Sequence, residues 1–238
     1  EEARFKLTEL WVLSKKLDGP PVRLGEFIWE GPAVSRTQLR IAWAQHHGNY
    51  PAQQRYWQIW IADIDYSSGK PQIKGQHVVL DNSKGEIKGA VLEPQNFRPG
   101  NEDELVFQSN HGGTEVMGLN TKTGEVLNYS RSPGSYDEPE GIYPDGQHTL
   151  VESNRATSKG MNLDLWKLKL DPSGTWERIT YFNEYGKFKA TNPVISDDGK
   201  FIAFMVARIR EVAGIGHGIY LMDIEKFEKA DKRIYLKK

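Results

Sequence analysis

Asn192-Pro193-Val194-Ile195-Ser196-Asp197-Asp198-Gly199-Lys200 runs straight into Phe201-Ile202-Ala203-Phe204-Met205-Val206. A proline opens a short apolar segment, an Asp-Gly turn follows, and a second apolar segment rich in β-branched and aromatic residues begins. Asp-Gly between two apolar runs marks a hairpin, because glycine tolerates the positive φ of a tight turn. A third apolar run, Gly218-Ile219-Tyr220-Leu221-Met222-Asp223, comes a short loop later.

The same order recurs upstream. Glu138-Pro139-Glu140-Gly141-Ile142-Tyr143-Pro144-Asp145-Gly146 leads into His148-Thr149-Leu150-Val151-Glu152-Ser153. Two weaker copies lack the Asp-Gly. Glu93-Pro94-Gln95-Asn96-Phe97 precedes Glu104 to Ser109, and Glu30-Gly31-Pro32-Ala33-Val34 precedes Leu39 to Ala44. A third strand follows each pair, at Gln58 to Asp63, Glu115 to Leu119, Leu163 to Leu168 and Gly218 to Asp223, with a further example at Leu10 to Leu13. Turn residues such as Thr123-Gly124 and Ser173-Gly174 then lead to an outer strand such as Trp176 to Thr180. Period-two alternation predicts half-buried strands, and no long segment carries a 3.6-residue apolar stripe. Ile224 to Lys232 reads as a single helical turn or a loop. The fold class is all-β.

Tandem four-stranded antiparallel units are the mark of a β-propeller. The Asn192 to Phe204 segment with Gly218 to Asp223, and the Glu140 to Gly146 copy, resemble the repeats of the TolB-like β-propeller family. That resemblance implies one propeller domain over residues 1–238. Outer strands fall in 1–25 and blades in 26–82, 83–131, 132–183 and 184–238, about four and a half blades. The last blade is expected to end on Arg233-Ile234-Tyr235-Leu236. Both ends then supply outer strands, so the natural protein is expected to continue N-terminally into a larger ring. The rival is a five-bladed ring with one thin blade.

Composition narrows the function. Lys+Arg 31 against Asp+Glu 32 gives a net charge of −1, without the basic excess of a dedicated nucleic-acid binder. No apolar run approaches the roughly 20 residues of a membrane helix, so no membrane insertion is expected. Zero cysteines exclude disulfides, thiolate metal sites and a cysteine nucleophile. Gly-x-Ser-x-Gly is absent, which removes the nucleophile elbow of a hydrolase.

Propeller topology sends the loops between second and third strands to one rim, together with the connections between blades. His46, His47, His111 and His217 fall in such loops and are the candidate metal ligands. Glu30, Glu93 and Glu138, each close before an innermost strand's proline, join Tyr50, Trp57, Arg155 and Arg208 as candidate ligand-binding residues. Tyr136 and Asn192 reach the same rim. Imidazole and carboxylate together suit Mn, Zn, Fe or Ni, yet no His-x-x-x-His spacing is present. Trp11, Trp43, Trp60, Trp166 and Trp176 follow strand positions and are expected in the core, whereas Trp29 and Trp57 flank rim loops and are candidates for sugar stacking. His77 and His148 are expected to be structural.

The resemblance implies a monomeric, non-catalytic binding or scaffolding propeller of the bacterial periplasm or cell exterior. It would take a protein segment or a glycan at the rim over the central channel, and no cofactor is expected. The alternative is a polysaccharide lyase acting on acidic sugars with one divalent metal such as Mn or Zn. Arg155 or Arg208 would then meet the substrate carboxylate, and His47 or His111 would serve as ligand or base. A third reading is the non-catalytic propeller of a larger enzyme.

Overall fold

The computed structural model describes residues 8–14, 16–26, 29–47, 56–158, 160–185, 187–211 and 216–230. Strands β1 (Glu9–Val12) and β2 (Val22–Glu26) pair as a two-stranded partial blade. Blade 1 comprises β3 (Trp29–Val34), β4 (Arg40–His47), β5 (Tyr56–Asp65) and β6 (Gln72–Asp81). Blade 2 comprises β7 (Val91–Arg98), β8 (Asn101–Asn110), β9 (Thr114–Asn120) and β10 (Val126–Asn128). Blade 3 comprises β11 (Asp137–Ile142), β12 (His148–Ser153), β13 (Asp164–Lys169) and β14 (Trp176–Arg178). Blade 4 shows β15 (Phe188–Ile195), β16 (Phe201–Arg208) and β17 (Ile219–Asp223). The outer strand expected at Arg233 to Leu236 lies outside the described residues.

Every pairing within the sheets is antiparallel between consecutive strands, as the hairpin signals require. Blade 4 passes from β17 into a short helix, α1 (Ile224–Lys229), where the other sheets make a turn. The Asp223 carboxylate caps α1 by accepting the Lys226 N–H at 3.1 Å.

Alternation along the strands builds the seams between sheets. Leu105 and Phe107 of β8 face blade 1, where Trp57, Ile59 and Ile61 meet them. Val106, one residue out of phase, faces blade 3 and packs with Val151 and Leu168. Leu150 and Leu165 leave the other face of blade 3 to meet Ile202, Phe204 and Val206 of blade 4. Ile41, Trp43 and Ile64 cover the far side of blade 1, against Leu10 of β1. Blade 4 keeps an apolar outward face, with Ile219 at 82% and Leu221 at 69% exposure.

The first strands β3, β7, β11 and β15 are neighbours in succession, so they form the inner wall. All four carry a register shift at or beside their proline: Trp29/Ala33, Pro94/Asn96, Pro139/Gly141 and Thr191/Val194. Proline has no N–H to give the ladder, and a bulge absorbs the interruption.

At the rim that carries the hairpin turns between first and second strands, polar clasps link the blades. Glu102 accepts Ser35 Oγ at 2.5 Å, Thr37 Oγ1 at 2.7 Å and the Arg36 N–H at 3.0 Å. Arg98 Nε donates to the Gly146 carbonyl at 2.6 Å, joining blade 2 to blade 3.

Candidate functional site

Glu138 and Glu140 stand on β11, and β12 places Glu152 directly opposite Glu138. The bulge at Pro139 leaves Glu140 out of the ladder register. Ligand atoms of Glu138, Glu140 and Glu152 all lie within 4.8 Å of one another. Glu152 is buried, at 4% exposure, and the other two are half-buried.

Each carboxyl has a local partner. The Tyr136 hydroxyl donates to Glu138 Oε2. The backbone N–H of Asn192, from β15 of the next blade, donates to Glu152 Oε1. Asn192 holds φ at +51°, in the left-handed region that asparagine tolerates better than most residues. Among the described residues no lysine or arginine ion-pairs with Glu138, Glu140 or Glu152. Buried Lys189 favours the ionised form of Glu152 through its charge, yet its ammonium donates to the Glu211 carbonyl at 3.0 Å.

Burial therefore sets the electrostatics. It pushes the carboxyls of Glu138, Glu140 and Glu152 above the ordinary carboxylate range. Repulsion from Glu152, Glu138 and Glu93 raises Glu140 further. A hydrogen bond between Glu140 and Glu152 adds to the rise of Glu140 and works against that of Glu152. Burial, followed by the Glu138 charge, also holds the Tyr136 phenol protonated. A crowded set of carboxyls either retains protons or exchanges them for a cation. An ammonium, a guanidinium or a divalent ion meets that requirement.

Blade 2 repeats the arrangement in milder form. Glu93 stands opposite Gln108 just as Glu138 stands opposite Glu152, each pair one residue before the proline. Gln108 is buried at 5% exposure, and its Oε1 has no hydrogen-bond partner among the described residues.

The sequence-based candidates are scattered by comparison. Glu93 and Glu138 lie on the first strands β7 and β11 and are half-buried. The side chain of Glu30, and Tyr50, lie outside the described residues, as does the side chain of Trp29. Trp57 is not at the rim: it is 1% exposed in the seam between blades 1 and 2, because β5 begins before it. His46 and His47 belong to the end of β4 rather than to a loop. They pair across the ladder with Trp57 and Tyr56, and ring contacts of 5.1 and 5.0 Å extend the strand past the expected turn. His111 is exposed in the turn after β8. His217 lies 3.4 Å from Glu211 and edge-on to Phe188. Among the described residues, the groups of three or more metal-ligating side chains include no histidine.

Arg155 is turned into the protein, its guanidinium 3.6 Å from the centre of the Trp176 ring. Burial lowers its pKa, against the field of Asp137 and Glu115. Arg208 is exposed at the end of β16, where its backbone N–H bonds Glu211 at 2.7 Å. Trp43 is in the core as expected, whereas Trp11 is 51% exposed.

Sequence reasoning passed over Glu140 and Glu152 as site residues. Glu152 did leave a signal: it occupies the strand position in phase with the buried Leu150.

No protein-family model and no curated protein sequence matches the chain. Solved structures do. TolB from Acinetobacter baumannii superposes with a TM-score of 0.61 at 17% identity, over 91% of this chain and 46% of its own. An oligogalacturonate lyase in complex with manganese gives 0.56 at 11% identity, over 84% of this chain and 51% of its own. The β-propeller domain of the Trilobed protease from Pyrococcus furiosus, described as having an open velcro topology, gives 0.54 at 8% identity, over 89% and 54%. The chain spans about half the length of these structures, and at such identities the likeness concerns the fold alone. With four successive antiparallel sheets around an inner wall, this chain has the fold of a TolB-like β-propeller.

Proposed function

We propose that the chain is part of a non-catalytic binding propeller of the periplasm or cell exterior. Its inner wall captures a protein segment through a basic side chain. One observation carries the reading: Glu138, Glu140 and Glu152 converge within 4.8 Å without a lysine or arginine ion-paired to them among the described residues. A lysine or arginine from a partner supplies the missing charge and several donors at once. Rigid inner strands hold the carboxyls in place, which reduces the ordering cost of binding.

The test is calorimetric titration with the tripeptides Gly-Arg-Gly and Gly-Lys-Gly, with Gly-norleucine-Gly as the uncharged control. Saturable binding of the basic peptides, weakened about tenfold or more in Glu138→Gln/Glu152→Gln, supports the reading. Equal behaviour of all three peptides refutes it.

The lyase reading has one observation in its favour: the same three carboxyls offer a set of oxygen ligands for a divalent ion. Under that reading Mn²⁺ raises the melting temperature of the wild type and not of the double variant, and oligogalacturonate is cleaved.

A further inference from the structure

A cavity of about 360 Å³ separates the partial blade from the far face of blade 1. Leu24 of β2 forms one side, and Trp43, Gln45, Trp60, Ile73 and Gln76 of blade 1 form the other. Trp43 and Trp60 are cross-strand partners, and their rings lie nearly parallel, 14° apart in plane with centroids at 6.2 Å. Trp43 is 5% exposed, and the pair packs with Ile41, Ala62 and Ile64.

The chemistry of the wall is selective. Among the described residues that line the cavity, none carries a charge. Two primary amides, Gln45 and Gln76, offer both donors and acceptors. A space with a paired aromatic wall, two amides and no charged side chain among its described lining residues calls for a particular guest. That guest is uncharged, has one face of C–H groups to lie on an indole, and has an edge of hydroxyls to meet the polar atoms.

We infer that this cleft is a binding site for a neutral sugar unit, distinct from the carboxylate cluster on the inner wall. The volume falls within the range of small-ligand pockets, of order 300–1,000 Å³. An ionic ligand finds no counter-charge among the described lining residues, and a purely apolar one makes no use of the two amides. The inference does not rest on the proposed binding of basic segments.

The experiment is tryptophan fluorescence and saturation-transfer NMR on the full chain, titrated with D-glucose, D-galactose and N-acetyl-D-glucosamine and their β-linked dimers. D-galacturonate serves as the charged counterpart. The expected result is saturable binding of at least one neutral sugar in the millimolar range. Affinity should fall roughly fivefold or more in Gln76→Ala and in Trp60→Phe, and stay unchanged in Glu152→Gln. Gln76 is exposed, so its variant keeps the test independent of folding defects. The inference is overturned if no neutral sugar saturates up to about 50 mM, if galacturonate binds as well as galactose, or if the Gln76 and Trp60 variants bind like the wild type.

Discussion

Glu152 of β12 receives the backbone N–H of Asn192 from the neighbouring blade, so a buried carboxyl and a left-handed asparagine lock the seam between blades 3 and 4. The two substitutions of Glu152 therefore differ. Glu152→Ala strands the Asn192 N–H and should cost about 1–3 kcal/mol. Glu152→Gln keeps an acceptor while removing charge, and should be neutral or stabilising at pH 8. Urea denaturation of the two variants measures the difference, and equal destabilisation would show that the N–H contact contributes nothing.

The carboxyl cluster predicts a pH dependence of unusual sign. Glu140 is raised in the fold by burial and by its acidic neighbours, so the native state holds a proton that the unfolded chain releases near 4.5. Stability should fall as pH rises above that value. Glu140→Gln should thus raise the melting temperature at pH 8, by an amount equivalent to about 1–3 kcal/mol, and change little at pH 4. Thermal scans across that interval decide it.

Glu102 should behave in the opposite way. Burial alone would raise its carboxyl, but hydrogen bonds from Ser35, Thr37 and the Arg36 and Thr37 backbone outweigh burial and hold it below the ordinary value. Its contribution is present above pH 4.5 and is lost as pH falls through the folded value. Glu102→Ala should cost about 1–3 kcal/mol at pH 7, with a smaller loss at pH 3. A denaturation series at the two pH values would expose a constant loss, which this account does not allow.

Gly146 tolerates no side chain. It holds φ at +68°, and a Cβ there would sit 2.1 Å from the Pro99 carbonyl of the neighbouring blade. Gly146→Ala should cost about 3 kcal/mol or more. Gly124, which also has positive φ but whose Cβ would come no nearer than 3.8 Å to another blade, should lose only about 1 kcal/mol. Parallel melting curves of the two alanine variants test the contrast.

Local chemistry made much of the fold legible. Asp145-Gly146 and Asp198-Gly199 each announced a hairpin, and the period-two runs located β12 at His148–Ser153 and placed β16 and β17 within two residues. Prolines 94 and 139 marked the inner strands because a residue without an N–H must sit at an edge or a bulge. Such features depend on neighbours a few residues apart, and a linear reading captures them.

The site depended on separations that no local pattern records. Glu152 and Asn192 lie forty residues apart and meet only because blade 4 stacks on blade 3. Trp57 flanked a loop in the sequence, yet the His46 and His47 ring contacts prolonged the ladder and drew it into the core. His47 and His217, assigned to one rim by topology, contact aromatic rings of their own blades, since a shared rim sets direction and not distance. By itself the sequence determined the strands, their turns and the propeller class. Only the tertiary structure decided which carboxyls crowd together, because that follows from how successive sheets twist and pack around the inner wall.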